Sequence, residues 1–382
     1  MQGLSLRANV SGEALLPDSP ELRSALSEAN TPTMLAAYVW LTHDQAMLEA
    51  FRPLIKPAFS WPPTEIPLGV GEKLAEAMLH ALTTPGVAKA DPPDSALMQK
   101  IMSVCVGEDV DAECLDMVYD QCGFSPWIDR SARPSRKQPP RGFKVLVIGA
   151  GLTGMAASMK LSEAGYDHIV IEKNADVGGT WFENRYPGVG VDTPSHFYSF
   201  SWEIWTNWTH YHPKGADMQR YLLEVADKYD IRRNVRFNTR VQSLVYDEET
   251  ALWTVTVQHS NGETEELTAN AVINGHGPVN RFKWPDIEGL KSFNGPVVHT
   301  ATWPEDLSLK GKRVAVIGTA ASAAQVVGAI AAETSALTVY QRTKHWVIHN
   351  PEIAHEVSEG MKWAPAHIPS FKEWFRFRVY WA

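Results

Sequence analysis

The sequence predicts an α/β protein with two dinucleotide-binding, Rossmann-like units and a small antiparallel layer, preceded by a helical N-terminal domain. Two observations carry this. A short apolar, β-branched run leading straight into spaced small residues and an apolar helix occurs twice, from Lys144 and again from Arg313. That is the pattern by which a buried strand brings a helix N-terminus to a phosphate. Residues 1 to about 130, in contrast, hold several stretches of helical periodicity and no such turn,. The expected division is a helical domain over 1–130, a linker over 131–141, a first dinucleotide unit over 142–290, a bridging segment over 291–309 and a second unit over 310–382.

In the first region, helices are expected over 20–29, over the run MLAAYVWL with Thr31 as N-cap and Pro32 in the first turn, over 70–82, over 95–106, and near 111–119,. Pro62-Pro63 and Pro92-Pro93 punctuate them, and the basic, proline-rich SARPSRKQPPR reads as the linker,. His43 and His80 stand alone, which favours packing or solvent exposure over ligation.

The first dinucleotide unit opens with the strand Lys144–Ile148, which feeds Gly149, Gly151 and Gly154 of GAGLTG. The first glycine permits the tight turn, the second lets a pyrophosphate approach the backbone, and the third lets helix pack on strand. The helix runs over Leu152–Ala164 and stops at Gly165,. The next strand, HIVIE, ends at Glu172, an acid 23 residues beyond Gly149, where a ribose hydroxyl is accepted,. Strands are then expected over 235–241, 253–258 and 266–274, the last two joined through the hairpin signal Asn261-Gly262,. They form the small antiparallel layer. Val241, closing the first of them, is counted among the cofactor-binding residues.

The second unit repeats the pattern with Arg313–Ile317, then Gly318, Thr319, Ala320 and Ala323 of GTAASA, the strand ALTVY, and Arg342-Thr343. Alanines replace two glycines. Arg342 lies 24 residues after Gly318, in the place Glu172 holds in the first unit. A cation there suits a 2′-phosphate that an acid would repel. Residues 314–332 carry no charge over 19 positions, near the length of a membrane span. Their small, polar centre between two strand patterns reads instead as strand, phosphate turn and buried helix.

Phe293, Gly295, His299, Trp303 and Pro304 in FNGPVVHTATWP lie between the two turns, and GGTWFENRYPGVGVDTPSHFYSF spans 178–200. Both segments resemble the Baeyer–Villiger monooxygenases, the first being their fingerprint. The resemblance covers 144–346, or 203 of 382 residues. It implies FAD on the first unit and NADPH on the second, with Gly178, Gly179, Thr180 and Trp181 along the flavin. Asp192, the catalytic candidate, and Tyr198 then sit by the isoalloxazine ring, and His299 and Trp303 position the two domains. The reaction implied is insertion of one oxygen atom of O2 beside a ketone carbonyl, through a C4a-peroxyflavin, to give an ester or lactone. The helical leader is similar to that of the 4-hydroxyacetophenone monooxygenase subgroup, which implies aryl ketones. In the family an arginine further along stabilises the peroxide. Arg376 and Arg378 do not match its motif, so the chain is expected to be an amino-terminal portion with a truncated NADP-binding domain, inactive alone. Two other readings stay open: a catalytically incomplete nucleotide-binding or assembly protein, and a peroxyflavin enzyme that oxidises sulfur or nitrogen.

A formal charge of −9, from 35 basic and 44 acidic residues, argues against a nucleic-acid partner,. Cys105, Cys114 and Cys122 lack CxxC spacing, so they read as reduced, buried thiols in a cytoplasmic protein, with no metal site,. The first 20 residues lack the apolar core of a signal peptide, and no membrane partner is expected,. Trp202, Trp205 and Trp208 favour packing over a substrate pocket. His210, His212 and Lys214 lack the companions of a metal site. A homodimer through the N-terminal helices is left open.

Overall fold

The computed structural model describes residues 13–57, 64–124, 138–346 and 351–381. The Pro62-Pro63 break and residues 131–137 of the expected linker lie outside the described residues. The N-terminal helices are α1 (Pro20–Glu28), α2 (Thr31–Thr42), α3 (Gln45–Phe51), α4 (Leu68–Thr83), α5 (Ser95–Val106) and α6 (Leu115–Gln121). α2 is central, with every residue from Pro32 to Leu41 buried. Its N-cap is Asn30 and not Thr31: the Asn30 carboxamide oxygen accepts the Thr33 N–H at 3.2 Å and the Thr33 hydroxyl at 2.8 Å, closing the first turn across Pro32,. The helix expected from Asp111 starts as a 3-10 turn, Ala112–Cys114, before α6, because Asp111 accepts the N–H two residues on,.

The dinucleotide segments form a compact unit of residues 134–191 and 213–350, as far as these are described. It runs β1 (Lys144–Ile148), α7 (Leu152–Ala164), β2 (Asp167–Ile171), α8 (Thr180–Glu183), α9 (Gly215–Lys228), β3 (Val235–Arg236), β4 (Thr239–Asp247), β5 (Leu252–His259), β6 (Thr264–Ala269), β7 (Ala271–Asn274), β8 (Arg313–Ile317), α10 (Ala321–Ile330) and β9 (Ala336–Tyr340). A parallel sheet has the order β3-β2-β1-β7, an antiparallel sheet the order β4-β5-β6, and β8 pairs with β9 in parallel. Leu146 and Ile171 from the first sheet share a core with Val255, Val257 and Ala269 from the second.

Two strands expected as continuous are broken, each at an asparagine. Residues 235–241 divide into β3, paired with β2, and β4, which opens the antiparallel sheet, with Asn238 at φ +53° making the corner,. Residues 266–274 divide at Asn270 into β6, antiparallel to β5, and β7, parallel to β1. Asn270 fixes this corner by exchanging two 2.9 Å hydrogen bonds with the backbone of Lys144. The uncharged run 314–332 becomes β8, a turn and α10, and no helix among the described residues is long and apolar enough to cross a membrane.

The helical unit takes in more than the N-terminal helices. Residues 192–212 and 351–382, as far as described, belong to it, together with α11 (Glu359–His367) and α12 (Phe371–Trp381). The division read from the sequence puts these stretches with the first and second dinucleotide domains, and the contacts place them otherwise. The chain returns because apolar surface on α12 has a partner in α2: Trp374 lies 6.0 Å from Trp40 and 4.7 Å from Phe124, ring to ring. The strand-like contacts Tyr211 N–H to His355 O and Val357 N–H to Thr209 O join the two returning stretches. Trp205 and Trp208 are buried edge to face, while Trp202 stacks on Phe200 and stays partly exposed.

Candidate dinucleotide sites

At the first turn the three glycines have different reasons to be glycine. Gly149 has φ +88°, and a Cβ there would meet Gly275 O at 2.9 Å; a Cβ on Gly154 would lie 1.7 Å from Gly149 O. Both are demanded by the protein's own backbone. Gly151 has φ −78° and ψ −169°, extended backbone open to any residue, and a Cβ would meet nothing closer than Gly179 Cα at 3.6 Å. The protein does not require glycine here, whereas a pyrophosphate brought against the backbone does. α7 begins at Gly151 with no side-chain cap among the described residues, which leaves its first N–H groups for an anion,.

Glu172 is buried at this turn. One carboxylate oxygen accepts the Ala150 N–H at 2.6 Å and the other the Asn174 N–H at 2.8 Å. Each oxygen keeps a lone pair that can accept a ribose hydroxyl. The segment from Gly178 to Trp181 lies on the same turn: Gly178 donates to Ala150 O at 3.0 Å, and a Cβ on Gly179 would be 2.9 Å from Gly151 Cα. Gln219 of α9, which no motif marked, donates to Val177 O at 2.9 Å and lies against Gly178. In residues 274–277, at the end of β7, Gly275 packs backbone to backbone on Ile148 and Gly154. Val241 lies against the core between the two sheets, where β4 has a bulge between Val241 and Ser243.

At the second turn Gly318 has φ +107°, and its N–H donates to Tyr340 O at 2.9 Å. Thr319 accepts from Gln341 at 3.2 Å, and α10 starts after Ala320, with Ala323 in its first turn. Arg342 and Thr343 are exposed, and Arg342 forms no ion pair among the described residues. Its guanidinium is therefore open to a phosphate.

The fingerprint residues make local packing and capping contacts. Phe293 folds over Gly295, where a Cβ would lie 2.6 Å from the ring. His299 stacks on Phe282 at 4.5 Å and caps the 3-10 turn Thr300–Thr302, its Nδ1 accepting the Ala301 N–H at 3.1 Å; burial lowers its pKa. Trp303 packs on the Tyr186, Val326 and Ile330 cluster beneath the second turn, and Pro304 O accepts from Leu307.

The two dinucleotide turns, Gly178 to Trp181 and the fingerprint thus belong to one unit; Asp192 and Tyr198 belong to the helical unit. Asp192 is exposed, and the Tyr198 N–H donates to Pro194 O. Neither arginine of α12 is a free cation: Arg376 is buried on backbone carbonyls, and Arg378 donates to Cys105 O. Among the described residues no group of three or more side chains could hold a metal.

Fold and site together define a protein with two dinucleotide turns in one α/β unit. Residues 146–362 match the family described as pyridine nucleotide-disulphide oxidoreductase. A Baeyer-Villiger monooxygenase of Pseudomonas aeruginosa is 39% identical over 235 residues, 60% of this chain and 44% of its own. The uncharacterized monooxygenase y4iD of Sinorhizobium fredii is 34% identical over 367 residues, 94% of this chain and 54% of its own. Cyclohexanone monooxygenase from Rhodococcus sp. Phi1, bound to NADP+, superposes with a TM-score of 0.54 and 37% identity, covering 58% of this chain and 42% of that one. OTEMO in complex with FAD and NADP does so with 0.55 and 33%, covering 63% and 44%. The chain spans about half the length of the curated relatives it matches. It belongs to the pyridine nucleotide-disulphide oxidoreductase family, and the relatives it resembles are monooxygenases, Baeyer–Villiger monooxygenases among them.

Proposed function

We propose that the first turn binds FAD, that the second binds NADPH, and that the protein is a monooxygenase converting a ketone, of the aryl class, to an ester. The observation that carries the reading is Gly151: it is a glycine the protein's own packing does not need, at an uncapped helix N-terminus beside a buried acid. Gly151 and the α7 N–H groups hold the pyrophosphate, Glu172 the ribose, and residues 178–181 the flavin side; Arg342 and the α10 N-terminus take the phosphates of NADPH. The bound flavin supplies the redox chemistry with oxygen, and the protein supplies orientation and a dry, fixed electrostatic surround. Asp192 is assigned to the nicotinamide and flavin by the family pattern, and the aryl preference by the helical leader.

Purified protein should take up FAD, seen as bound flavin absorbance, and Gly151→Val should abolish uptake by blocking the backbone. A folded wild-type protein that stays colourless with excess FAD would overturn the reading. Arg342→Ala should weaken NADPH about tenfold to a hundredfold, the loss of a charge-assisted contact worth roughly 1.5–3 kcal/mol, and leave NADH unchanged. Equal losses with both coenzymes would make Arg342 structural. Turnover is measured apart from binding, as ester formed from acetophenone with NADPH and oxygen.

A further inference from the structure

We propose that Gln325 is a positioning residue, a polar clamp by which α10 of the second turn holds the Tyr186–Gly190 loop that follows the flavin-side helix α8. The proposal rests on the two-cofactor reading and names a residue that motif and family pattern leave unassigned. Gln325 lies on α10 a little over one turn from Ala320, where the helix begins. Its Nε2 donates to Gly190 O at 3.0 Å, and its Oε1 accepts the Tyr186 hydroxyl at 2.8 Å. A carbonyl can only accept, so the Gly190 contact fixes which end of the carboxamide faces which partner. The amide therefore grips both ends of the loop.

Three further features press the loop onto this helix. The Tyr186 ring is buried with Val326 and Ile330, and its hydroxyl also lies 3.3 Å from Ser322. Gly188, at φ +82°, has its α-carbon so close that a Cβ would lie 2.6 Å from Gln325 O. Trp303 of the fingerprint packs on the same cluster, and the neighbouring Glu305 pairs with Arg185 at the head of the loop. The stretch leaving α8 is thus bonded to the helix whose N-terminus faces the coenzyme. Hydride passing between two separately bound cofactors depends on their separation, and misplacement by about 1 Å can cost on the order of a hundredfold in rate. A clamp between the two turns sets that separation without touching either cofactor.

The test uses Gln325→Met, Tyr186→Phe and the double variant. In cofactor-free protein, hydrogen exchange at the Val189 and Val191 amides should rise several-fold in Gln325→Met. With cofactors, the affinities for FAD and NADP+ should stay within about twofold of wild type, while anaerobic flavin reduction by NADPH slows about tenfold. The double variant should slow reduction by less than the product of the singles, because the Tyr186–Gln325 bond is lost in each of them,. Gln325→Glu keeps the acceptor for Tyr186 but turns a carboxylate oxygen on the Gly190 carbonyl, so it should loosen the loop and slow reduction at least as much as Gln325→Met,. Unchanged loop exchange and reduction in Gln325→Met would overturn the proposal, as would a fall in FAD affinity matching the fall in rate. A wild-type protein that binds no FAD would sink the cofactor reading instead, and the exchange measurement would still judge the clamp.

Discussion

Arg376 lies buried on α12 with its guanidinium donating to Gln121 O at 2.6 Å, His196 O at 2.7 Å, Phe197 O at 3.0 Å, and the hydroxyl and carbonyl oxygens of Ser199 at 2.9 and 3.1 Å. A planar five-donor fork suits this convergence and a lysine does not. Arg376→Met should destabilise the helical unit by about 3 kcal/mol or more, since several buried carbonyls lose their donor, and Arg376→Lys should rescue little; chemical denaturation reads both. The adjoining His196 is buried with no hydrogen-bond partner at Nε2 among the described residues, and burial first, then Arg376, pushes its pKa from 6.5 down to about 3. The unfolded chain therefore binds a proton that the folded one refuses. Stability is full above about pH 6.5 and should fall by about 2 kcal/mol between pH 7 and pH 5, with His196→Leu flattening the slope. Burial likewise pushes the Cys105 and Cys122 thiols up to about 12, while Cys114 is half-exposed. One thiol should react promptly with an aromatic disulfide reagent in native protein, and three after denaturation. The environments of His196 and Arg376 could not be read from sequence, because burial of a lone His or Arg depends on which distant segment returns to cover it; the thiols read as buried are so at Cys105 and Cys122 but not at Cys114.

Elements were far more legible. β1, α7, β8 and β9 fall on the residues their apolar runs and stop signals mark, because a strand leading to a glycine turn and a helix is a local pattern with local causes,. The corners at Asn238 and Asn270 escaped, since a single asparagine inside a β-branched run announces neither a positive φ nor a change of sheet. The turn makes the sharper prediction. Gly154→Ala forces a Cβ to within 1.7 Å of Gly149 O and should unfold or shift the α7 N-terminus. Gly151→Ala meets only an ordinary 3.6 Å contact, so it should fold with a wild-type unfolding midpoint and bind FAD more weakly,. If the two substitutions act alike on stability, Gly151 is structural and the argument for a ligand at that backbone fails.

At the scale of the molecule, the candidate site was legible as motifs and the compact units were not. The Gly178–Phe200 motif is continuous in sequence, yet Gly179 packs on the first turn while Tyr198 belongs with α12. Nothing local says where between them the chain changes unit; the answer lies in Trp374, Trp40 and Phe124, which draw 351–381 and the N-terminal helices into one core. Ligand and mutation should therefore be felt in different places. A ligand that binds only the folded state at 100 times its Kd adds about 2.7 kcal/mol to its stability. FAD should accordingly slow hydrogen exchange in β1, α7 and β2, while Arg376→Met should speed it in α12 and over 195–199. Should FAD protect only the helical unit, the flavin would sit elsewhere than the Gly149–Gly154 turn. Should Arg376→Met loosen β1 and α7 as strongly as α12, the division of the chain into these two compact units would be the wrong description of how it holds together.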